Sequence, residues 1–265
     1  MTLFRWMKAR TSPSTGPGER IYAIGDVHGR YDLLCDLLDR IGDHSQQREH
    51  MRAQEGREGD VRARVILLGD LIDRGPASAQ VLRFACAMQR DHPDFMVLAG
   101  NHEDVMLEAL DGCADTARLW LQYGGLATMR SFGLDLGDCL DADGEDEAEA
   151  IVQGMEALRS ALGDDLLQWV RDLPVMTRSG DYFFCHAGVR PGRALDEQSR
   201  EDLLWIRQPF LQSRKSHGAV IVHGHSITDE VDIRRNRIGV DTGAYRTEIL
   251  SALCLENASV EVIST

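Results

Sequence analysis

In this 265-residue chain, carboxylates, imidazoles and one carboxamide recur at a single kind of place: beside glycine, directly after a short apolar run. Arg20 to Ile24 leads into Gly25-Asp26-Val27-His28-Gly29. Arg64 to Leu68 leads into Gly69-Asp70-Leu71-Ile72-Asp73-Arg74-Gly75, and Phe95 to Ala99 into Gly100-Asn101-His102-Glu103. Further on, Tyr182 to Cys185 precedes His186-Ala187-Gly188, Ala219 to Val222 precedes His223-Gly224-His225, and Arg237 to Val240 precedes Asp241-Thr242-Gly243. Asp26 and His28 are two residues apart and project to the same side in extended chain. One histidine after a strand is ordinarily a core or surface residue. Four of the nine histidines (28, 102, 186 and 225) at glycine-flanked strand ends, alongside Asp26, Asp70 and Asn101, reverse that expectation. The set Asp26, His28, Asp70, Asn101, His186 and His225 offers nitrogen and oxygen donors without thiolate. Such a set suits Mn²⁺, Fe, Zn²⁺ and related ions and disfavours a structural cysteine zinc site. One cation needs only some of these groups; two cations sharing Asp70 use them all.

These side chains have to be delivered to one edge. The apolar runs before each turn read as buried strands, and open α/β sheets place ligands at the carboxyl ends of their strands. Between the runs, Tyr31 to Ile41 and Ala77 to Arg90 carry apolar residues at helical spacing. Strand–helix–strand order predicts right-handed crossovers and a partly parallel first sheet. Asp43 to Ala63 is charged and aperiodic and reads as a long mobile excursion, with His44 and His50 in solvent. Residues from about 104 to 175 read as a helical insertion over one side of the site, interrupted at Gly124-Gly125. Asp135 to Glu149 reads as an acidic solvated loop; Asp141-Ala142-Asp143-Gly144 lacks the full spacing of a calcium loop. Ile249 to Leu255 and Val260 to Ile263 form a closing hairpin, and the late strands with short links predict a second, mostly antiparallel sheet. Residues 1–18 are expected to be a flexible lead-in and 19–265 one catalytic domain.

Composition narrows the function. A net charge of −14 disfavours a nucleic-acid duplex or an anionic membrane as partner. It also means that phosphate binding requires locally concentrated cations. No apolar run reaches the length of a membrane span, and the basic start of the chain lacks the continuous apolar core of a signal peptide. Six cysteines without CxxC pairing read as reduced thiols, with Cys35, Cys86, Cys185 and Cys254 in apolar patterns, in a cytoplasmic protein that is a monomer or weak dimer.

The blocks GDVHG (25–29), GDLIDRG (69–75), GNHE (100–103), HAG (186–188) and GHS (224–226) resemble, in order, those of the calcineurin-like metallophosphoesterases. More narrowly they resemble the PPP-type serine/threonine phosphatases in their compact bacterial and bacteriophage lambda form. The resemblance implies a four-layer α/β/β/α sandwich with mixed sheets and two divalent metal ions per chain, manganese first, with Fe, Zn, Ni, Co or Mg as alternatives. Carried over block by block, Asp26, His28 and Asp70 hold one ion; Asp70, Asn101, His186 and His225 hold the other. His223 then lies either near the site or simply at the end of a buried strand. Two such ions, about 3.5–4 Å apart, clamp a phosphoryl group and acidify a shared water, whose hydroxide attacks phosphorus in line. The resemblance makes His102 the general acid, Asp73 its orienting partner, and Arg74 and Arg207 the phosphate-binding arginines. The implied substrates are phosphoserine and phosphothreonine in proteins, phosphotyrosine, and small phosphate esters. The alternative is a symmetrical dinucleoside tetraphosphate or an RNA cap. Ala99 departs from the protein phosphatases, where arginine often precedes GNHE; Arg190 and Arg246 are the candidate replacements. HAGVRP leans to the tetraphosphatase side, while Asp73 and Glu103 lean to the protein-phosphatase side.

Overall fold

The computed structural model describes residues 12–56, 59–112, 114–136 and 145–265. Three strands of the first sheet, β1 (Glu19–Ile24), β2 (Arg62–Leu67) and β3 (Phe95–Val97), are parallel. Ile24 lies opposite Leu67 and Leu67 opposite Val97, so the three chains leave the sheet at one edge. The closing hairpin, β9 (Ser251–Glu256) and β10 (Ser259–Ser264), adds antiparallel to β1, giving the order β10-β9-β1-β2-β3. It therefore belongs to the first sheet, because its apolar face completes the cover of β1.

The second sheet contains β4 (Met176–Ser179), β5 (Tyr182–Cys185), β6 (Val220–His223), β7 (Asp232–Ile233) and β8 (Arg237–Gly239), in the order β4-β5-β6-β8-β7. The expectation of a mostly antiparallel sheet is corrected here. β5, β6 and β8 run parallel, and only the short edge strands β4 and β7 are antiparallel. The long chains between β5, β6 and β8 allow the crossovers that parallel pairing requires.

Period-two alternation sorts the side chains into layers. Ile21, Ala23, Ile66, Leu253 and Leu255 meet Tyr182, Phe184, Val222 and Ile238 between the sheets. Tyr22, Ile24 and Leu67 face the other way, into the helices. Those helices are α1 (Tyr31–Gln54), α2 (Ser78–Asp91), α3 (Asn101–Asp111), α4 (Ala114–Trp120), a kinked turn at Leu121–Gly125, α5 (Leu126–Ser131) and α6 (Glu145–Arg171). Beyond the second sheet, Phe183, Cys185 and Ile221 are covered by the short α7 (Arg200–Trp205) and by Ile206 and Phe210. The protein is thus a mixed α/β/β/α sandwich whose fourth layer is thin.

Three local expectations change. The excursion after residue 43 begins as helix, because α1 continues to Gln54. Its polar half lies across β9 and β10: Arg48 and Arg52 pair with Glu256, Arg48 also with Glu261, and Glu49 with the buried Arg20. His44 is half-buried, 2.9 Å from the Tyr22 hydroxyl; His50 is exposed. Helical periodicity is hidden here because the contacts are ionic. Residues 12–18, expected to be loose, are tied down: the Ser14 amide donates to Asp181, the Thr15 amide to the Asn257 carbonyl, and the Gly16 amide to Ser179. Cys185 and Cys254 are buried, Cys35 and Cys86 half-buried, and none of the four is paired. Residues 141–144 of the expected acidic solvated loop, Cys113, Cys139 and residues 1–11 lie outside the described residues. No helix among the described residues is long and apolar enough to cross a membrane.

Candidate metal centre

The shared edge brings the predicted residues together. Seven non-glycine residues among those described adopt positive φ, and five belong to the predicted set: His28 (44°), Asp70 (50°), Asp73 (72°), Arg74 (69°) and His225 (62°). Such conformations are costly for residues with a Cβ and concentrate where surrounding structure enforces them. The enforcing group on the central loop is Glu103. Its Oε1 accepts the Leu71 and Ile72 amides at 2.8 and 3.3 Å, and its Oε2 accepts Asp70 and Gly100 at 3.0 and 2.8 Å. Glu103 is fully buried, and burial together with Asp70 pushes its carboxyl up to about 7 against the pull of those amides. Gly100 admits this packing, since a Cβ there would lie 2.2 Å from the Asp70 nitrogen.

Asp70 sits at the centre of two triads of potential ligand atoms, each within 4.8 Å: His28, Asp70 and His102, and Asp70, His186 and His225. Its Oδ2 is 3.6 Å from His28 Nε2 and its Oδ1 is 3.4 Å from His186 Nε2. Burial works against the Asp70 carboxylate, but His186, His102 and His28 outweigh it and hold its pKa well below the usual range. His186 Nδ1–H donates to the Leu68 carbonyl at 2.9 Å, which leaves Nε2 as a lone pair. That lone pair points at Asn101 Oδ1, 2.8 Å away, and Asn101 Oδ1 is also 2.8 Å from His225 Nδ1. Facing lone pairs at this distance repel unless a proton or cation lies between them, so the donor set fits a divalent cation. His225 Nε2, buried and without a partner, adds a further free donor. Burial disfavours the charged form of both rings, and the His225 pKa falls to about 3.

Asp26 lies beside the triads. Its oxygens accept the His225 amide at 3.0 and 3.2 Å, and burial, Asp241 and Asp70 raise its carboxyl well above the usual range. His28 Nδ1–H donates to the Ile72 carbonyl at 2.8 Å; its Nε2 accepts from Arg74 at 2.9 Å, so Arg74 covers the lone pair a cation would use. His102 Nδ1 is 2.6 Å from Asp73 Oδ2. Burial opposes charge on His102, but Asp70 and Asp73 prevail and raise its pKa.

A cleft of about 600 Å³ opens on this cluster. Arg74, Asn101, His102, Arg207 and His225 reach it, and Val105, Leu119, Trp120 and Tyr123 from the helical region form its apolar lining together with Trp205. Arg207 is exposed there. The replacements considered for the arginine absent at Ala99 do not line it: Arg190 chelates Asp202 at 2.5 and 2.8 Å, and Arg246 is exposed near Gly243. His223 is the end of a buried strand; its ring packs on Phe210 at 5.1 Å, on the outer face of the second sheet, and burial lowers its pKa to about 4.

Sequence reasoning gave no role to Glu103, to Trp120, Thr128 and Ser78 around Asp73, to Asp241 beside Asp26, or to Tyr245, over whose ring Arg74 lies at 4.7 Å. Asp241-Thr242-Gly243 follows the same strand–acid–glycine pattern as the predicted ligands and carried the signal; Tyr245 had none.

The chain is similar to known proteins. Residues 19–249 match the family described as calcineurin-like phosphoesterase. The chain is 30% identical over 174 residues to the symmetrical bis(5'-nucleosyl)-tetraphosphatase of Aromatoleum aromaticum, covering 65% of this chain and 45% of that protein. It thus spans under half the length of this relative. It is 29% identical over 243 residues to serine/threonine-protein phosphatase 2 of Escherichia coli, covering 87% of this chain and 90% of that one. A solved structure described as a candidate diadenosine tetraphosphatase shares the fold, with TM-score 0.59 and 18% identity over 96% of this chain and 98% of its own. With a family match over most of its length and acid, amide and imidazole donors converging on Asp70, the chain belongs to the calcineurin-like phosphoesterases.

Proposed function

We propose that this phosphoesterase is a metal-dependent phosphomonoesterase acting on phosphoserine and phosphothreonine in proteins, and on small aryl phosphates. Asp26, His28 and Asp70 would hold one divalent ion, and Asp70, Asn101, His186 and His225 a second, with manganese the preferred metal. Such ions would supply Lewis-acid polarisation of the phosphoryl group and lower the pKa of the attacking water. Arg207 and Arg74, both lining the cleft, bind and orient the phosphoryl oxygens through charge-assisted hydrogen bonds. For this role Arg74 exchanges its bond to His28 for the substrate. His102, held by Asp73, gives its Nε2 proton to the leaving oxygen. The unpaired thiols fit a cytoplasmic enzyme.

The buried His102–Asp73 pair is the observation that carries this reading. A serine or threonine alkoxide is a poor leaving group and needs a proton in the transition state, whereas a nucleotide released from a polyphosphate leaves readily as an anion. One observation favours a second reading, hydrolysis of dinucleoside tetraphosphates or RNA caps. The cleft wall of Leu119, Tyr123 and Trp205 offers flat apolar surface for a base, and the Aromatoleum relative carries the tetraphosphatase name. Manganese-loaded protein assayed side by side on a phosphoserine peptide and on diadenosine tetraphosphate separates them. Peptide turnover is expected; turnover of the dinucleotide alone would overturn the first reading.

A further inference from the structure

Asp73 is fully buried, yet it sits in a loop with no regular structure and in a left-handed conformation, φ 72°. His102 gives it one hydrogen bond. The carboxylate's remaining partners come from the helical region, far along the chain. Trp120 Nε1–H donates to Oδ2 at 2.9 Å, the same oxygen that faces His102 Nδ1. Thr128 Oγ1–H donates to Oδ1 at 2.6 Å, and the Asp73 amide donates back to Thr128 Oγ1 and to Ser78 Oγ, each at 3.0 Å. Trp120 and Thr128 are themselves buried, so these donors do not compete with solvent.

Thr128 lies eight positions beyond Trp120. On a straight α-helix they would stand roughly 12 Å apart along the axis and about 80° apart around it, unable to meet on one carboxylate. A kink at Gly124, between the two, removes that mismatch. Gly124 takes φ 128°, and a Cβ there would lie 3.1 Å from Asp73 Cβ and 3.0 Å from Arg74 Cγ. Its carbonyl accepts the Arg74 amide at 3.2 Å. This kink folds the helical region directly onto the Asp73–Arg74 loop.

From this geometry we infer that Trp120 and Thr128 are positioning residues, which fix the Asp73 carboxylate so that His102 Nδ1–H stays directed at Asp73 and Nε2 is presented to the leaving oxygen. The inference rests on the proposed acid role of His102. A carboxylate held by three side-chain donors cannot rotate away, and its charge is balanced without proton transfer from His102. Loss of one donor frees Asp73 to turn and weakens proton donation, while substrate binding through the arginines is untouched.

The test compares phenyl phosphate with para-nitrophenyl phosphate on manganese-loaded protein. Phenoxide is the more basic leaving group and depends more on its proton. Trp120→Phe, which keeps an aromatic side chain and removes the N–H, and the near-isosteric Thr128→Val are each expected to lower kcat for phenyl phosphate by about 10-fold, with KM unchanged and para-nitrophenyl phosphate affected by less than about 3-fold. Thr128→Ser, which restores the hydroxyl, is expected to return within about 2-fold of the wild type. His102→Asn is run alongside. If it shows the leaving-group-selective loss and neither Trp120→Phe nor Thr128→Val does, the positioning role is wrong. If His102→Asn itself shows no selectivity, the acid reading fails and the inference falls with it. Equal loss on both substrates, not rescued by Thr128→Ser, would reduce these residues to structural ones. Should Trp120→Phe fail to fold, the Thr128 pair alone decides.

Discussion

Replacing Glu103 by glutamine removes one charge and adds no volume, yet the structure makes it a severe change. The two carboxylate oxygens accept four backbone amides, two each. Glutamine has one carbonyl oxygen and one NH₂. Either way round, its NH₂ faces two N–H groups, and two buried donors lose their acceptor. At about 1–3 kcal/mol for each unsatisfied buried donor, the cost is about 2–6 kcal/mol, comparable with the whole stability of a marginal domain at about 5–15 kcal/mol. The strain falls on Asp70 to Ile72, so metal affinity is expected to drop along with stability. Urea denaturation of metal-free protein measures the first, and equilibrium dialysis against Mn²⁺ the second. A glutamine variant within about 0.5 kcal/mol of the wild type, the range of an ordinary surface change, and with unchanged metal binding would refute the clamp argument.

His102→Asn keeps the fold and the bound metal but is expected to lower turnover by about two orders of magnitude or more on a phosphoserine peptide; near-normal turnover removes His102 from its role. Arg207→Ala is expected to raise KM for phosphate esters and for inorganic phosphate inhibition by about 10-fold, read from steady-state kinetics, without changing metal content. Away from the site, Arg20 and Glu256 form a buried pair at 2.8 Å, and Glu256→Gln is expected to destabilise the protein by about 3 kcal/mol in urea titrations. Burial acts to raise the Glu256 carboxyl, but Arg20 and Arg48 hold it below its ordinary 4.5. The stabilising contribution is therefore complete above pH 4.5 and lost as pH falls through the lower folded value, so the gap between wild type and variant should close in acid.

Strand-end turns were legible because their signal is local. Glycine, a polar donor and a preceding apolar run sit within a few residues, as in Gly25-Asp26 and Gly100-Asn101, and strand register then aligns them. The parallel pairing of β5, β6 and β8 was not, because parallel order depends on which long crossover reaches which edge. The second half of α1 was missed because its partners, Glu256 and Glu261, lie some two hundred residues away and leave no apolar period. Thr128 and Asp73, 55 positions apart, pose the same problem. The Gly124-Gly125 break reads as a helix end in sequence, yet in space it is the hinge that turns Trp120 and Thr128 onto one carboxylate.

The account depends on one carboxylate serving two cations. A crystal structure of the manganese-loaded protein, with anomalous scattering to locate the ions, addresses this directly, supported by metal analysis of Asp70→Asn. Two peaks flanking Asp70, and loss of both ions in the asparagine variant, are the predicted result. A single ion, or two ions retained once Asp70 is changed, would contradict it.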